Sequence, residues 1–384
     1  IDIGPAAGVH GGEVVFAGPY AAIYDEASES LTTRYMSGRM SIPVPEVRRP
    51  VSNFIRIKGA RHHNLKNVDV DIPLNALTVV CGVSGSGKTS LVKDILYRAL
   101  RKDIEDTYSQ SPGLHRAIEG DTGMLTAVEM VNQQPIGKSS RSNPITYVKA
   151  YDTIRQLMAD QQLSKIRGFK PGHFSFNVEG GRCEACSGEG EQVIEMQFLA
   201  DVRLECEDCR GKRFKKEVLD VQYKGKSIFD ILDLTIDEAL LFFAEHKDIA
   251  QKIKPLQDVG LGYVKLGQSS STLSGGEAQR VKLAAFLGRE NAREHILFIF
   301  DEPTTGLHFH DIRKLLDALN ALVEKGHSVL VVEHNLEVIK SADWLIDMGP
   351  EGGDEGGYLV FQGRPEELVL VETSYTGQFL KEKL

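Results

Sequence analysis

The sequence predicts an α/β fold: a sheet core with short buried strands, interrupted by an inserted domain organised on four cysteines. Three observations carry this expectation. Short apolar runs rich in strand-forming residues, LTVVC at 77–81, ILFIF at 296–300 and SVLVV at 328–332, each end in glycine or charged residues. The first run leads into GVSGSGKT at 82–89, and SLVKDILYRAL at 90–100 then shows helical periodicity, with Leu91, Ile95, Leu96 and Leu100 on one face. Four of the five cysteines form two Cys-x₂-Cys pairs between the first run and the second.

A glycine-rich loop between a strand and a helix is the context a phosphate-binding loop requires. Gly82, Gly85 and Gly87 let backbone N–H groups turn toward phosphate oxygens, and the helix N-terminus adds positive potential. Lys88 is expected to reach the β- and γ-phosphates of ATP and Thr89 to hold Mg²⁺. Ser84, Ser86 and Ser90 complete the expected ATP-binding set. A buried strand that delivers two carboxylates is costly unless metal and water use them. ILFIF ends in Asp301-Glu302, which fit a Mg²⁺-supporting acid and a base that polarises the attacking water. SVLVV ends in Glu333-His334, which places His334 to sense the γ-phosphate.

Further along, LSGGE at 273–277 precedes the run AQRVKLAAFL. Ser274, Gly275, Gly276 and Glu277 begin a helix whose first N–H groups form an anion site. The order of phosphate loop, glutamine, signature, acidic strand tip and histidine resembles an ABC-type ATPase. That resemblance implies ATP bound between two units, the phosphate loop of one facing the signature of the other.

A narrower resemblance covers nearly the whole chain. GARHHNLKNVDVDIP at 59–73, QPIGKSSRSNP at 134–144, FSFNVEGGRCEAC at 174–186, EMQFLADV at 195–202, TLSGGEAQRVKL at 272–283 and DEPTTGLH at 301–308 are similar to the UvrA family, the DNA-damage-sensing subunit of the bacterial excision nuclease. The chain departs from the family at Asn132, where aspartate is usual, and at Lys138, where arginine is common. The resemblance implies that Gln133 links metal and nucleotide to the inserted domain. It also implies binding of duplex DNA with lesions, ATP hydrolysis and loading of UvrB, whose main docking domain lies in the family's first half. The family does not cut DNA itself.

Ile1 to Gly18 aligns without gaps to Ile346 to Gly363 at an offset of 345, with ten identities in eighteen positions. A repeat of this kind marks tandem units. The second copy follows a complete ATPase unit, and the chain has no initiator Met, so the first copy is expected to be the tail of an upstream half. The expected organisation is a tail at 1–19, a linker at 20–50, an ATP-binding core at 51–134, an inserted signature and DNA-binding domain at 135–260, and the rest of the core at 261–384. Head-to-tail pairing of two copies, or pairing with the upstream half, would complete each nucleotide site.

Cys183, Cys186, Cys206 and Cys209, with 19 residues between the pairs, have the spacing of a four-thiolate zinc site. Cys81 stands apart in an apolar strand and reads as a small apolar residue. Residues 203–216 carry six basic side chains against three acids, and 138–170 carry seven against two, on a chain of net charge −9. A local positive patch on an acidic body suits sequence-independent phosphate contacts. Lys138, Arg141, Arg182, Arg210, Lys212 and Arg213 are the expected DNA contacts.

The composition, 26% charged and 41% hydrophobic, is that of a globular protein. No apolar run of about 20 residues exists to span a bilayer, which disfavours a transporter reading, as does the cysteine module. The resemblance and the free thiols imply a cytoplasmic location. A UvrA-like paralogue that protects against DNA-targeting drugs is the alternative closest to the repair reading.

Overall fold

β-Branched and aromatic runs with no polar face need a sheet covered on both sides. The computed structural model describes residues 1–5, 11–25, 28, 30–105, 107–137, 141–194, 196, 202–289 and 294–384. Its strands in chain order are β1 (Asp2–Gly4), β2 (Glu13–Phe16), β3 (Phe54–Ala60), β4 (Val68–Pro73), β5 (Leu77–Gly82), β6 (Ala117–Gly120), β7 (Ala127–Val131), β8 (Glu191–Ile194), β9 (Val202–Glu205), β10 (Ile296–Asp301), β11 (Ser328–Val332), β12 (Trp344–Gly349) and β13 (Tyr358–Gly363). The three predicted runs are β5, β10 and β11.

The chain divides into two compact units. The first comprises Ile1–Pro5, Glu13–Gln133 and Arg289–Leu384. Its main sheet has the order β13-β12-β5-β11-β10-β7, and every pair is parallel except β12 with β13. The C-terminal ends of β5, β11, β10 and β7 therefore lie side by side on one edge, where ligands bind in open parallel sheets. The second layer is the antiparallel sheet β4-β3-β6. Its inward residues Ile55, Ile57, Val70 and Ile72 share a core with Leu91, Val92, Ile95 and Leu96 of the phosphate-loop helix. Each such side chain contributes about 1.5–3 kcal/mol when fully buried. That helix opens with a wide π-type stretch, Ser90–Tyr97, and continues as a regular α-helix over Arg98–Ile104. The amphipathic helix Phe309–Glu324 buries Ile312, Leu315, Leu316, Leu319, Leu322 and Val323 along one face.

The repeated segments fold alike. β1 pairs with β2 and β12 with β13, both antiparallel, with Asp2 opposite Phe16 and Asp347 opposite Phe361. Ser30 caps the helix Leu31–Met36 and donates to Asp2 Oδ2 at 2.5 Å; Ser374 caps Tyr375–Leu380 and donates to Asp347 Oδ2 at 2.5 Å. The likeness thus runs on to residue 36, into the stretch expected as linker. The offset drops from 345 to 344 between the hairpins and the capping serines, so a gapless alignment loses it. Tyr35 of the first copy stacks on Phe309 at 5.4 Å.

The second unit centres on Gln134–Gly288. Short helices with polar caps surround an aromatic core. Tyr151 stacks on Phe176 at 5.3 Å, Phe176 meets Phe214 edge-on, and the Tyr151 hydroxyl donates to the Phe174 carbonyl at 2.6 Å. The helix Gly275–Leu287 packs against Lys247–Asp258 and Pro144–Tyr147, so it belongs to this unit rather than to the core with which the sequence grouped it. The hairpin β8–β9 and the cysteine module also lie here. Among the described residues no helix is long and apolar enough to cross a membrane.

Candidate nucleotide site and four-cysteine centre

The phosphate loop follows β5 directly. Gly82, Gly85 and Gly87 take φ values of 124°, 77° and 100°, all in territory that favours glycine. Asn64 and the backbone near Gly353 hold the loop. Asn64 Nδ2 donates to the Gly85 carbonyl at 2.9 Å and to the Gly353 carbonyl at 3.0 Å, and the Gly353 amide donates to Gly85 at 3.0 Å. The repeated glycine segment near residue 353 is thus a backing plate for the loop, a use that its sequence did not disclose. Asn64, within the HHN sequence at 62–64, was likewise missed.

Lys88 Nζ donates to the carbonyls of Gly82 and Val83, both at 2.8 Å. Both acceptors belong to its own loop, so the ammonium can turn to a phosphate without breaking a distant contact. Burial lowers its pKa, opposed by the nearby Cys81, Glu302, Asp347 and Asp301. Ser86 Oγ is buried without a hydrogen-bond partner among the described residues. Thr89 is exposed at the helix start, and Ser84 and Ser90 lie on the loop and the first helical turn.

Asp301 ends β10, and its carboxyl is pushed above the usual range by burial first and by Glu302 next. Glu302 has a left-handed backbone, φ 43°. Its carbonyl accepts from Gln133 Nε2 at 3.1 Å, and its amide donates to Val332 at 2.9 Å. His334 Nδ1 stands 3.9 Å from Glu302 Oε1. The strand edge therefore gathers the phosphate loop, Gln133, Asp301, Glu302 and His334. The residues fit Mg²⁺ and ATP: an unpartnered hydroxyl inside a glycine cradle, and a crowded acid whose charge a divalent cation would stabilise.

Cys81 is not simply an apolar filler. Its Sγ lies 3.5 Å from Asp347 Oδ1, and burial with that carboxylate raises the thiol pKa strongly. Asp347 also accepts from Thr376 at 3.1 Å. The pair fixes the strand tip beneath the loop.

In the second unit, Ser274 caps its helix in a reciprocal box with Glu277. Ser274 N donates to Glu277 Oε2 at 2.8 Å, and Glu277 N donates back to Ser274 Oγ at 3.3 Å. Tyr263 also donates to the Glu277 carboxylate; burial first and this hydrogen bond next push its own pKa up to about 12. Glu277 is thus engaged as a cap, while Gly275 and Gly276 present the amides that lack helical acceptors.

The four cysteines are all buried, with Cys183 and Cys206 Sγ atoms 3.9 Å apart and Cys186 and Cys209 3.6 Å apart. A disulfide needs about 2.05 Å. Four sulfurs at about 2.3 Å from one tetrahedral Zn²⁺ lie about 3.8 Å from each other. The Gly190 amide donates to Cys186 Sγ at 3.2 Å, as a thiolate ligand invites. Arg210 and Lys212 are exposed beside this centre. Arg213 instead donates to the Gly267 carbonyl at 3.0 Å and lies over Phe176. Arg141 pairs with Glu189 and Arg182 with Glu179, both at 3.5 Å. Lys138 lies outside the described residues.

A parallel sheet edge with this loop set defines a nucleotide-binding unit of the phosphate-loop class, here in one chain with a four-cysteine module. No protein-family model matches the chain. It is 53% identical over 386 residues to UvrABC system protein A of Streptomyces avermitilis, covering all of this chain and 38% of that protein. To the protein of the same name from Aquifex aeolicus it is 51% identical over 385 residues, covering 41% of that protein. The structure of UvrA2 from Deinococcus radiodurans superposes with a TM-score of 0.91 at 42% identity, over all of this chain and 46% of that one. The chain belongs to the UvrA family, and it spans about two fifths of the length of the curated relatives it matches.

Proposed function

We propose that this chain is the C-terminal ATPase half of a UvrA-type DNA-damage sensor. It binds Mg·ATP on the phosphate loop, with Thr89 and Asp301 as the Mg²⁺ residues, Glu302 polarising the attacking water, Gln133 and His334 beside it and Lys88 on the β- and γ-phosphates. Ser274, Gly275 and Gly276 meet the γ-phosphate bound by another unit, either a second copy or the first ATPase half. The observation that carries the reading is the convergence of Lys88, Gln133, Asp301, Glu302 and His334 at the ends of adjacent parallel strands. Zn²⁺ held by the four cysteines would stiffen the module that carries Arg210 and Lys212, the exposed cations best placed for duplex phosphates. In the whole protein, ATP turnover would govern how long a lesion is held and when UvrB is loaded, in the cytoplasm.

Fluorescence anisotropy on two duplexes, one with a single bulky lesion, tests the DNA arm across a salt series. The expected result is binding that falls steeply with salt, tighter on the lesion duplex. Salt-independent binding, or none with zinc and ATP present, would refute it. The ATPase arm predicts turnover abolished in Glu302→Gln, and unchanged turnover in that variant would remove Glu302 from its role.

A further inference from the structure

Glu333 is a carboxylate that neither the phosphate loop nor the metal residues account for. It ends β11 and is wholly buried, with 0% of its surface exposed. Burying a carboxylate costs several kcal/mol unless its oxygens are fully bonded. No lysine or arginine pairs with it among the described residues. Four donors satisfy it instead. Oε1 accepts from the Thr304 amide at 3.0 Å and from the Thr304 hydroxyl. Oε2 accepts from the amides of His334 at 2.7 Å and Asn335 at 3.0 Å. One carboxylate thus ties the loop after β10 to the turn after β11.

These two loops carry Glu302 and His334. Glu302 stands in a left-handed conformation that strains a non-glycine residue and persists only when its surroundings impose it. Its amide is held by Val332, and its carbonyl by Gln133 and by Thr305 Oγ1 at 3.0 Å. Thr304, two residues on, is held by Glu333. We infer that Glu333 is a positioning residue: it braces the Glu302 backbone and the His334 turn into one rigid wall facing the γ-phosphate. This rests on the ATPase reading above.

The chemistry of the brace admits only a carboxylate. Three of its partners are backbone N–H groups, which can only donate. A glutamine places its NH₂ against either Thr304 N–H or the two amides of His334 and Asn335, and meets a donor either way. A small displacement of a water-orienting group costs about 10²-fold in rate.

The test is Glu333→Gln in the full chain, with steady-state ATPase, nucleotide affinity, thermal melting and amide hydrogen exchange read together. The expected result is a fall of about 10²-fold in kcat, nucleotide affinity within about threefold of wild type, and faster exchange at Thr304, His334 and Asn335. Thr304→Val, which removes only the hydroxyl donor, should lower kcat about tenfold with an unchanged melting temperature. Turnover within threefold of wild type for both variants would overturn the inference. So would parallel loss of turnover, nucleotide affinity and melting temperature in both, which would make Glu333 a general support of the fold. A wild-type chain inert toward ATP would overturn the ATPase reading itself, and that failure shows in the unmutated protein.

Discussion

Gly82 and Gly85 belong to one motif, yet the structure assigns them different costs of substitution. A methyl group on Gly82 would sit 1.9 Å from the Met348 carbonyl oxygen. That oxygen is backbone on the adjacent strand, in the register that pairs Met348 with Gly82, so no side-chain rotation can relieve the clash. The φ of 124° adds a backbone penalty of about 1–3 kcal/mol. Forcing β5 and β12 apart adds about 1–3 kcal/mol by analogy with overpacked cores. Gly82→Ala should therefore lose about 4 kcal/mol, a large part of the roughly 5–15 kcal/mol typical of a domain. With a urea slope near 2 kcal/mol per molar, the midpoint falls by about 2 M. At Gly85 the nearest atom to an added methyl is Gly353 N at 3.3 Å and φ is 77°, so Gly85→Ala should lose only about 1–2 kcal/mol. Its deficit should appear in nucleotide affinity, measured with a fluorescent ATP analogue. Equal urea midpoints for the two variants, or a larger loss at Gly85, would refute the reasoning.

Three further outcomes are expected. Cys183→Ser should release the metal, loosen the cysteine module and weaken DNA binding, with nucleotide affinity unchanged; loss of nucleotide binding in step with zinc release would count against separate modules. If Lys88 and Ser274 serve different nucleotides, as proposed, ATP turnover per chain should rise with protein concentration; turnover that stays constant over a broad concentration range would contradict this. Burial lowers the pKa of both His295 and His327, whose Nδ1 accepts from the Ile296 amide at 3.3 Å. The unfolded chain then binds more protons just below pH 6.5, so stability is complete above that pH and declines as pH falls toward the depressed folded values. The melting temperature should drop between pH 7.5 and 5.5, and less so in His327→Gln; equal drops would exclude His327 as the source.

Much of the architecture was legible because it is local. LTVVC, ILFIF and SVLVV have no polar face, and each became a central strand of the parallel sheet. Cysteine spacing was enough to bring four sulfurs together, since each pair is closed by its own turn. What escaped the sequence depends on partners distant along the chain. Glu333 looks like an acid beside a histidine until Thr304 folds onto it from the loop after β10. Cys81 looks apolar until β12 sets Asp347 opposite it in register. Arg213 counts as a surface charge in a basic run, but its guanidinium is spent on the Gly267 carbonyl. The AQRVKLAAFL stretch follows the signature in sequence, yet its packing partners come from 144–147 and 247–258.

The left-handed backbone at Glu302 also sets fitness and robustness against each other at a single position. Glycine adopts that conformation freely, so Glu302→Gly should be as stable as the natural chain or more so, by up to about 1 kcal/mol after the greater entropy of its unfolded state is counted. The same change removes the carboxylate that we propose polarises the attacking water. A library selected only for heat resistance should therefore drift toward glycine at this site and fill with well-folded, silent proteins, whereas selection for turnover should hold glutamate there against the conformational preference of the chain.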